Sequence, residues 1–424
     1  MRSHYKRIGD FVTQIKLKNT DGSISLLKGI KINKHFMPSV ANINGTDLSK
    51  YRVVKKNQFA FNPMHVGRDE VLPISMLEDD ESIIVSPAYV VFEVKDEEEL
   101  LPEYLMMWCR RSEFDRNAWF MTDNSVRGGF SWADFCDMEL PIPSIEKQRE
   151  IVREYNVVND RISLNEQLTQ KLEESAQAIY KQWFVDFEFP ISKEYAQSIG
   201  KPELEGKPYK SSGGEMEYCE IIEYEIPQYW KITSLSAICS IGSSKRVFQS
   251  EYVTQGIPFY RGKEVTLRQN GNLIDDPLFI SESRFDELDS KFGSPKRGDI
   301  LITAVGTIGS TYLVKGEQFY FKDGNIIWLK EFLSEKSNVY IFDFMQSQMF
   351  LDYINDITIG STQSAITIKS LGLCPVLLPD DQTLLKYCEF SGRLKSYYES
   401  VVEEKSSLSN LKNIILSKIS KSTV

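Results

Sequence analysis

The sequence predicts an α+β protein with two tandem mixed domains, each followed by a long helix. Two observations indicate this architecture. No proline or glycine occurs between Pro143 and Pro190, and apolar residues recur there at steps of three and four, which is the spacing of one helix face. After Pro379 there is no proline, Gly392 is the single glycine, and a similar apolar spacing continues along the chain. We therefore expect each long helix to follow a compact domain.

An internal repeat explains why the same arrangement occurs twice. When residues 86–143 are shifted by 236 positions, they align with residues 322–379 without a gap. Few positions are identical, but the hydrophobic classes match: Val90-Val91-Phe92 with Ile326-Ile327-Trp328, Tyr104 with Tyr340, Phe114 with Phe350, and Pro143 with Pro379. Both copies end at a proline that precedes a long helix. A duplication of this kind predicts pseudo-twofold symmetry.

Within each copy, short β-branched and aromatic runs predict strands at 88–94 and 300–303, and helical spacing follows at 101–121 and 337–355. A polar stretch with glycine, lysine and proline, near 192–212, is interpreted as part of a mostly extended linker. The predicted boundaries are a first domain at 1–143, a central helix at 144–189, a linker at 190–227, a second domain at 228–379 and a C-terminal helix at 380–424.

Length and composition exclude several classes of protein. The 424 residues, with 42% hydrophobic and 26% charged side chains, correspond to about three folding units of a globular protein. No apolar run approaches the roughly 18 residues of a membrane helix, and the first residues lack a secretory signal, so we expect a cytoplasmic protein without a membrane partner. Six widely spaced cysteines predict reduced, mostly buried thiols.

The charge distribution is uneven along the chain. The net charge is −10, but residues 1–68 contain thirteen basic and three acidic residues, whereas residues 69–143 contain five basic and eighteen acidic ones. Residues 228–274 contain six basic and two acidic residues. The first domain is therefore predicted to have a basic side and an acidic side. The basic segments are candidate phosphate-binding surfaces, and ordinary solvated surface is an equally weighted alternative.

Motifs of catalysis are incomplete in this sequence. Gly256 to Lys263 approaches a phosphate-binding loop, but it is one residue too long and ends in Glu264 rather than serine or threonine. Three histidines offer no metal or nucleophile pattern. A nuclease-like Pro379-Asp380 pair with Glu403-Glu404-Lys405 has its second half in the predicted terminal helix, where such charges are ordinary. The sequence therefore predicts a non-catalytic chain.

Four stretches carry a family resemblance. They are Leu140-Pro141-Ile142-Pro143 continuing through Glu146 to Ile151, Trp183 to Pro190 followed by Gly206 to Gly214, Ile226-Pro227-Gln228-Tyr229-Trp230, and Gly298 to Thr303 with Val305 to Gly309. Together with the tandem domains and long helices, they resemble the specificity (S) subunits of type I restriction-modification systems. The sequence departs from that pattern at Ala304, where relatives often carry a basic residue, and at Asp380-Asp381-Gln382, a degenerate start of the second helix.

This resemblance implies a non-catalytic subunit that reads double-stranded DNA. Each target-recognition domain would read one half of a bipartite target, and the two helices would pair as an antiparallel coiled coil that acts as a spacer. The helices would dock two methylation subunits, and restriction subunits would join the complex. No cofactor is expected in this chain, whereas S-adenosylmethionine, ATP and Mg are implied for the partner subunits.

Candidate DNA-binding residues follow from residue type and position. For phosphate contacts we predict Lys31, Lys34, Arg52, Lys55, Lys56, Lys245, Arg246, Arg261, Lys263 and Arg268. For base contacts we predict Arg261, Arg268, Gln269 and Asn270, because arginine suits guanine and the amides suit adenine. Tyr260 is a candidate support with core packing as the favoured alternative, and Arg127 and Gln363 occupy equivalent loops at Asn124–Gly128 and Gly360–Ser364.

The sequence also predicts roles for two aromatic residues and leaves two alternative functions for the chain. Trp183 and Phe184 are interpreted as packing residues first and as a contact for a methylation subunit second. A coiled-coil scaffold with two protein-binding domains is the main alternative function. A stand-alone nuclease is a third, for which the sequence offers no convincing site.

Overall fold

The computed structural model describes residues 5–39, 45–64, 66–122, 129–272, 274, 276–334, 337–358 and 365–419. The chain divides into two compact units, one made of residues 1–166 with 404–424 and the other of residues 167–403. Both division points fall inside the two long helices. Each unit therefore contains one globular domain and a part of each helix.

The first globular domain consists of short strands and short helices. Its elements are β1 (Tyr5–Arg7), β2 (Val12–Ile15), β3 (Lys28–Ile30), β4 (Phe36–Pro38), β5 (Arg52–Val54), β6 (Phe59–Phe61), α1 (Val66–Asp69), β7 (Ile74–Met76), β8 (Ile83–Val85), β9 (Val90–Val94), α2 (Pro102–Cys109), α3 (Ser112–Met121), α4 (Trp132–Asp137) and β10 (Glu139–Pro141). A four-stranded antiparallel sheet has the order β2-β9-β6-β7. Phe59, Phe61 and Phe92 are fully buried against this sheet's helices.

The second globular domain repeats this sheet and adds another. Its elements are α6 (Lys193–Ser198), β11 (Met216–Cys219), β12 (Tyr224–Pro227), β13 (Lys231–Ser234), α7 (Leu235–Ile238), β14 (Ser240–Gly242), β15 (Tyr252–Val253), β16 (Ile257–Tyr260), α8 (Gly262–Gln269), β17 (Leu278–Ile280), α9 (Glu282–Phe292), β18 (Ile300–Thr303), β19 (Thr311–Leu313), β20 (Tyr320–Phe321), β21 (Ile326–Lys330), α10 (Ser337–Phe344), α11 (Gln348–Ile357), α12 (Ile368–Gly372) and β22 (Pro375–Leu378), preceded by the long helix α5 (Ile145–Phe184). The repeated sheet has the order β14-β21-β18-β19, and the added sheet has the order β15-β17-β16-β20.

The predicted duplication is confirmed by matching contacts in the two domains. The hydroxyl of Tyr104 donates to the carbonyl of Pro141 at 3.0 Å, and the hydroxyl of Tyr340 donates to the carbonyl of Leu377. These residue pairs are related by the same shift of 236 positions. In each domain the bond joins the first helix after the core sheet to the strand that precedes a long helix.

The two long helices, α5 and α13 (Asp381–Lys418), run antiparallel. In the first unit Arg161 binds Glu404, and in the second unit Tyr180 packs against Tyr387 with ring centroids 6.3 Å apart. Residue numbers therefore rise along one helix as they fall along the other, which confirms the predicted antiparallel pairing. The degenerate start of α13 is a working N-cap, because Asp380 accepts hydrogen bonds from the backbone of Gln382 and Thr383.

The segment predicted as a mostly extended linker is folded, so this prediction was wrong. It contains α6, capped by the Ser192 side chain, and the antiparallel hairpin of β11 and β12. Phe189 stacks on Tyr209 at 4.6 Å and on Trp230 at 4.8 Å. The polar composition concealed these aromatic residues, which supply enough buried apolar surface to fix the chain.

The cysteines and the membrane prediction were also tested by the structure. None of the six cysteines forms a disulfide, and Cys109, Cys239, Cys374 and Cys388 are buried while the other two are half-buried. Among the described residues, no helix combines the length and apolar character that crossing a bilayer requires.

Candidate nucleic-acid interface

Lys31 and Lys34 lie at the turn between β3 and β4, but only Lys31 is exposed. The Lys34 ammonium is 2.8 Å from both carboxylate oxygens of Asp115, contacts the carbonyl of Cys109 and lies 4.8 Å over the Phe114 ring. Burial lowers the pKa of Lys34, against the opposing pull of Asp115. The phosphate-contact prediction for Lys34 was therefore wrong, because its side chain fastens the hairpin to α3.

The remaining basic candidates of the first domain differ in whether their charged groups already bind other residues. Arg52 is half-buried, and its Nε donates to the Pro87 carbonyl at 3.0 Å. Lys56 lies 2.7 Å from Asp80, whose hydrogen bond raises the pKa of Lys56. Lys55 is exposed, and its ammonium forms no ion pair with the described residues. Among these cations, Lys31 and Lys55 are thus exposed and have no ion pair with the described residues.

The fold does not separate basic and acidic halves of the first domain into two sides. Strand β5 pairs with β8 and strand β2 pairs with β9, which brings the acidic second half onto the basic first half. Arg7 binds Asp137, and Lys28 lies 3.7 Å from Asp79. The prediction of a two-sided charge distribution was therefore wrong, since charges far apart in sequence meet across the strands.

In the second domain, Lys245 and Arg246 lie in an exposed loop that follows β14. The Lys245 ammonium is 4.9 Å over the Phe292 ring, and Arg246 Nε is 3.0 Å from Asp323. Phe248 in the same loop is 60% exposed, and sequence reasoning missed it. The signal was an aromatic residue two positions after adjacent basic residues, a combination typical of nucleic-acid surfaces.

Helix α8 carries two of the four predicted base-reading residues, Arg268 and Gln269, and the other two, Arg261 and Asn270, flank the helix. Arg261, directly before the helix, is bound by Glu264, while Lys263 is exposed. At the other end, Gln269 is half-buried and Asn270 is exposed, and neither side chain is hydrogen-bonded within the described part of the chain. These two amides are therefore free to bind a partner.

Arg268 and Tyr260 are more firmly built into the fold. Arg268 Nη2 lies 3.2 Å from Glu317, and its guanidinium is 5.6 Å over the Tyr312 ring. Tyr260 is 5% exposed and stacks on Phe319 at 4.2 Å. The core-packing alternative therefore describes Tyr260, and burial raises the pKa of its hydroxyl.

Phe130 and Ile366, which follow the two equivalent loops predicted to approach DNA, make similar backbone hydrogen bonds. The backbone N–H of Phe130 donates to the Pro63 carbonyl at 2.9 Å, and that of Ile366 donates to the Ala304 carbonyl at 3.1 Å. Ala304 itself is buried. Arg127 and Gln363 lie outside the described residues, so their role stays a prediction.

Trp183 and Phe184 take part in the core of the second unit. Phe184 is 3% exposed and its ring contacts Tyr340 at 4.8 Å and Tyr387 at 4.7 Å. Trp183 is half-buried against Tyr387 at 5.6 Å. The packing interpretation therefore holds for Phe184, which has no accessible surface for a partner, whereas part of Trp183 remains accessible.

Among the described residues, no three histidine, cysteine, aspartate or glutamate side chains are suitably placed to hold a metal ion together. Within the nuclease-like pattern, Asp380 caps α13, and Glu404, between Glu403 and Lys405, binds Arg161 and Asn165.

Known proteins resemble this chain in sequence and in fold, although no family model matches it. The type I restriction enzyme HindI specificity subunit of Haemophilus influenzae is 21% identical over 91% of both chains. A putative type I restriction enzyme specificity subunit of the same organism is 35% identical over 115 residues, which are 27% of this chain and 28% of that protein. The type I restriction-modification S subunit from M. genitalium has the same fold, with a TM-score of 0.57 and 14% identity over 98% of this chain and 95% of that one. The resemblance inferred from the motifs is therefore confirmed: this chain is similar in sequence and in fold to type I restriction enzyme specificity subunits.

Proposed function

We propose that this chain is the DNA-specificity subunit of a type I restriction-modification complex. One observation carries the proposal: two copies of one domain, each packed on part of an antiparallel helix pair, occur in a chain that resembles a type I specificity subunit over nearly its whole length. Each domain reads one half of a split DNA target. The chain itself is non-catalytic and supplies the sequence preference.

The long helices suit the role of a spacer between two reading domains. Helix α5 has 40 residues, which at 1.5 Å per residue corresponds to about 60 Å. Repeated DNA-binding domains generally set the distance between their half-sites through a rigid connection. In this proposal, helix length therefore determines how many unread base pairs separate the two halves.

The accessible cations supply the sequence-independent part of DNA binding. In the first domain these are Lys31 and Lys55, and in the second they are Lys245 and Lys263. Cations of this kind displace condensed counterions from the phosphates, which makes binding salt-dependent. Gln269 and Asn270 offer free amides for adenine.

The proposed partners account for the chemistry that this chain lacks. Two methylation subunits dock on the helix pair and bring S-adenosylmethionine, and restriction subunits bring ATP- and Mg-dependent cleavage. The net charge of −10 opposes DNA, so the methylation subunits also contribute basic surface. Because the substrate is DNA, the proposed place of action is the cytoplasm.

Genome-wide methylation mapping tests this function. A methylation-deficient host would carry this chain with its neighbouring methylation subunit, and a matched host would carry the methylation subunit alone. We expect a split adenine motif that appears only when this chain is present. Absence of any motif, with the partner shown to be folded and bound, would instead favour the protein-binding scaffold.

A further inference from the structure

Arg261 is held in one orientation by a buried carboxylate at the start of α8. The Glu264 side chain is 1% exposed, and its oxygens accept hydrogen bonds from Arg261 Nε at 3.1 Å and from Arg261 Nη2 at 2.7 Å. Glu264 also accepts the backbone N–H of Arg261 at 2.8 Å. Three bonds from one residue to one carboxylate fix both the main chain and the guanidinium plane.

The charge states of this pair favour a permanent contact. Burial by itself raises the pKa of Glu264, but the hydrogen bonds from Arg261 outweigh it and leave the pKa lowered. The carboxylate also lies in the first turn of α8, where the helix dipole favours negative charge. Glu264 therefore stays ionised and holds the guanidinium.

The bonds to Glu264 occupy only one edge of the guanidinium. A guanidinium carries five N–H groups in a rigid plane. Glu264 takes the edge formed by Nε and one N–H of Nη2, and Nη1 is not hydrogen-bonded within the described residues. The outer edge, formed by Nη1 and the second N–H of Nη2, keeps two parallel donors. The side chain is 38% exposed, so these donors are accessible.

Neither of the other candidate arginines of this domain combines these properties. Arg268 is 27% exposed, contacts Glu317 through Nη2, and leaves its Nε buried without a partner. Arg246 is 69% exposed and is bound through Nε to Asp323, whose side chain is 20% exposed. Arg261 alone among these three is both fixed by a nearly inaccessible carboxylate and open along a complete donor edge.

Gly262, next to Arg261, lies beside Thr303 and Val305, and Val305 pairs with Ala365, the residue that follows the predicted DNA loop at Gly360–Ser364. A side chain at Gly262 would meet the Thr303 methyl group at 3.6 Å and the Val305 carbonyl at 3.9 Å. The loop from Val305 to Gly309 starts there, and Lys263 is exposed beside it. The candidate base-reading residue Arg261 is therefore close to Lys263, a candidate phosphate contact.

We propose that Arg261 reads a guanine in the half of the target bound by the second domain, and that Glu264 is its positioning residue. This inference rests on the proposed function. Two parallel N–H donors match the O6 and N7 acceptors that guanine presents in the major groove. Fixing the side chain before binding removes the entropy that a mobile arginine would lose, which favours base contact.

The test measures competition binding by the complex of this chain with its methylation subunit. The duplexes carry the mapped motif with each base pair of the second domain's half replaced in turn. We expect Arg261→Ala to lose on the order of 10- to 100-fold in affinity for the intact motif. On the duplex that lacks the recognised guanine, the variant and the unchanged chain should bind equally.

Two further variants separate reading from folding. Arg261→Lys keeps the charge but loses the planar fork, so it should lose discrimination at the same single position. Glu264→Gln keeps Arg261 but loosens its orientation, and it should give a smaller loss at that position only. Arg246→Ala is the matched control and should weaken binding to all duplexes alike.

The outcome can overturn this inference without touching the proposed function. If Arg261→Ala weakened every duplex equally, Arg261 would be a phosphate contact and the guanine assignment would be wrong. A motif with no guanine in the second domain's half would also refute it. If the complex of this chain with its methylation subunit methylated no specific motif, the proposed function would be refuted instead.

Discussion

The two globular domains share a core sheet and a tyrosine contact, yet they meet the long helices through different chemistry. In the first domain Met107 is buried in an apolar cluster with Tyr155. The equivalent position in the second domain is Asp343, which accepts from Tyr387 at 2.8 Å and from Ser391 at 2.6 Å, and also binds Lys395. At this position the first copy meets the helices through apolar packing and the second through a buried polar cluster, while Phe184 and Tyr387 also pack on Tyr340 in the second copy.

This difference shows which parts of a duplicated domain are constrained. The sheet order and the Tyr104 and Tyr340 bonds are retained because they position the strand before each long helix. Outside the core sheet the described parts of the two domains differ: the first has the strand pairs β3-β4 and β5-β8, and the second has the sheet β15-β17-β16-β20 and helix α8. Function resides in such additions to a common scaffold, so we expect the two domains to read different half-sites.

The largest expected effect comes from truncating a core aromatic residue that both domains share. Phe114 and Phe350 are each fully buried, so Phe114→Ala and Phe350→Ala should each lower the free energy of unfolding by about 4 kcal/mol. Denaturant titration would measure it. Phe120→Ala is the control, because Phe120 lies in the same helix as Phe114 and is 86% exposed. A marked difference between the two core variants would contradict equivalent packing.

The buried polar cluster should give the next largest effect. Asp343→Ala leaves Lys395 without its partner and should cost about 3 kcal/mol, since breaking a buried ion pair strands a charge. Asp343→Met combined with Lys395→Met imitates the apolar contact of the first domain and should recover most of that loss. Thermal unfolding would compare the two. No recovery in the double variant would mean that apolar packing cannot replace the cluster.

The shared tyrosine bond should contribute less, and equally in both domains. Tyr104→Phe and Tyr340→Phe each remove one hydroxyl from a buried carbonyl, which should cost about 1 kcal/mol. Tyr397→Phe, at a 53% exposed position of α13, is the control. Denaturant midpoints would show whether the two bonds contribute equally. An unchanged midpoint for one of the two variants would mean that they do not.

The smallest effect should distinguish two adjacent lysines of the first domain. Lys55 is exposed without an ion pair among the described residues, whereas Lys56 is already paired with Asp80. Lys55→Glu should weaken DNA binding several-fold for all sequences and reduce the salt slope by about one unit. Lys56→Glu should change binding less. Affinities at two salt concentrations would test this, and equal losses would place both lysines at phosphates.

Sequence reasoning succeeded where a pattern is local or repeated. Apolar residues at steps of three and four predicted α5 and α13, because helix periodicity depends on residues that are close in sequence. The alignment at a shift of 236 positions predicted the duplication. The spacing of three between Arg261 and Glu264 was also visible in the sequence, but Arg261 was interpreted as a DNA contact and Glu264 only as the end of a failed phosphate loop. The same two residues form an ion pair in the first turn of α8.

The sequence by itself determined the fold class, the tandem order and the resemblance to specificity subunits. Only the tertiary structure decided which cations are available. Lys34 and Asp115 are 81 positions apart, and the local sequence around either residue does not predict that they meet in a buried site. Burial and ion pairing depend on which distant strands and helices come together. Lys31 is therefore exposed and Lys34 is buried in an ion pair, although both lysines lie in the same turn.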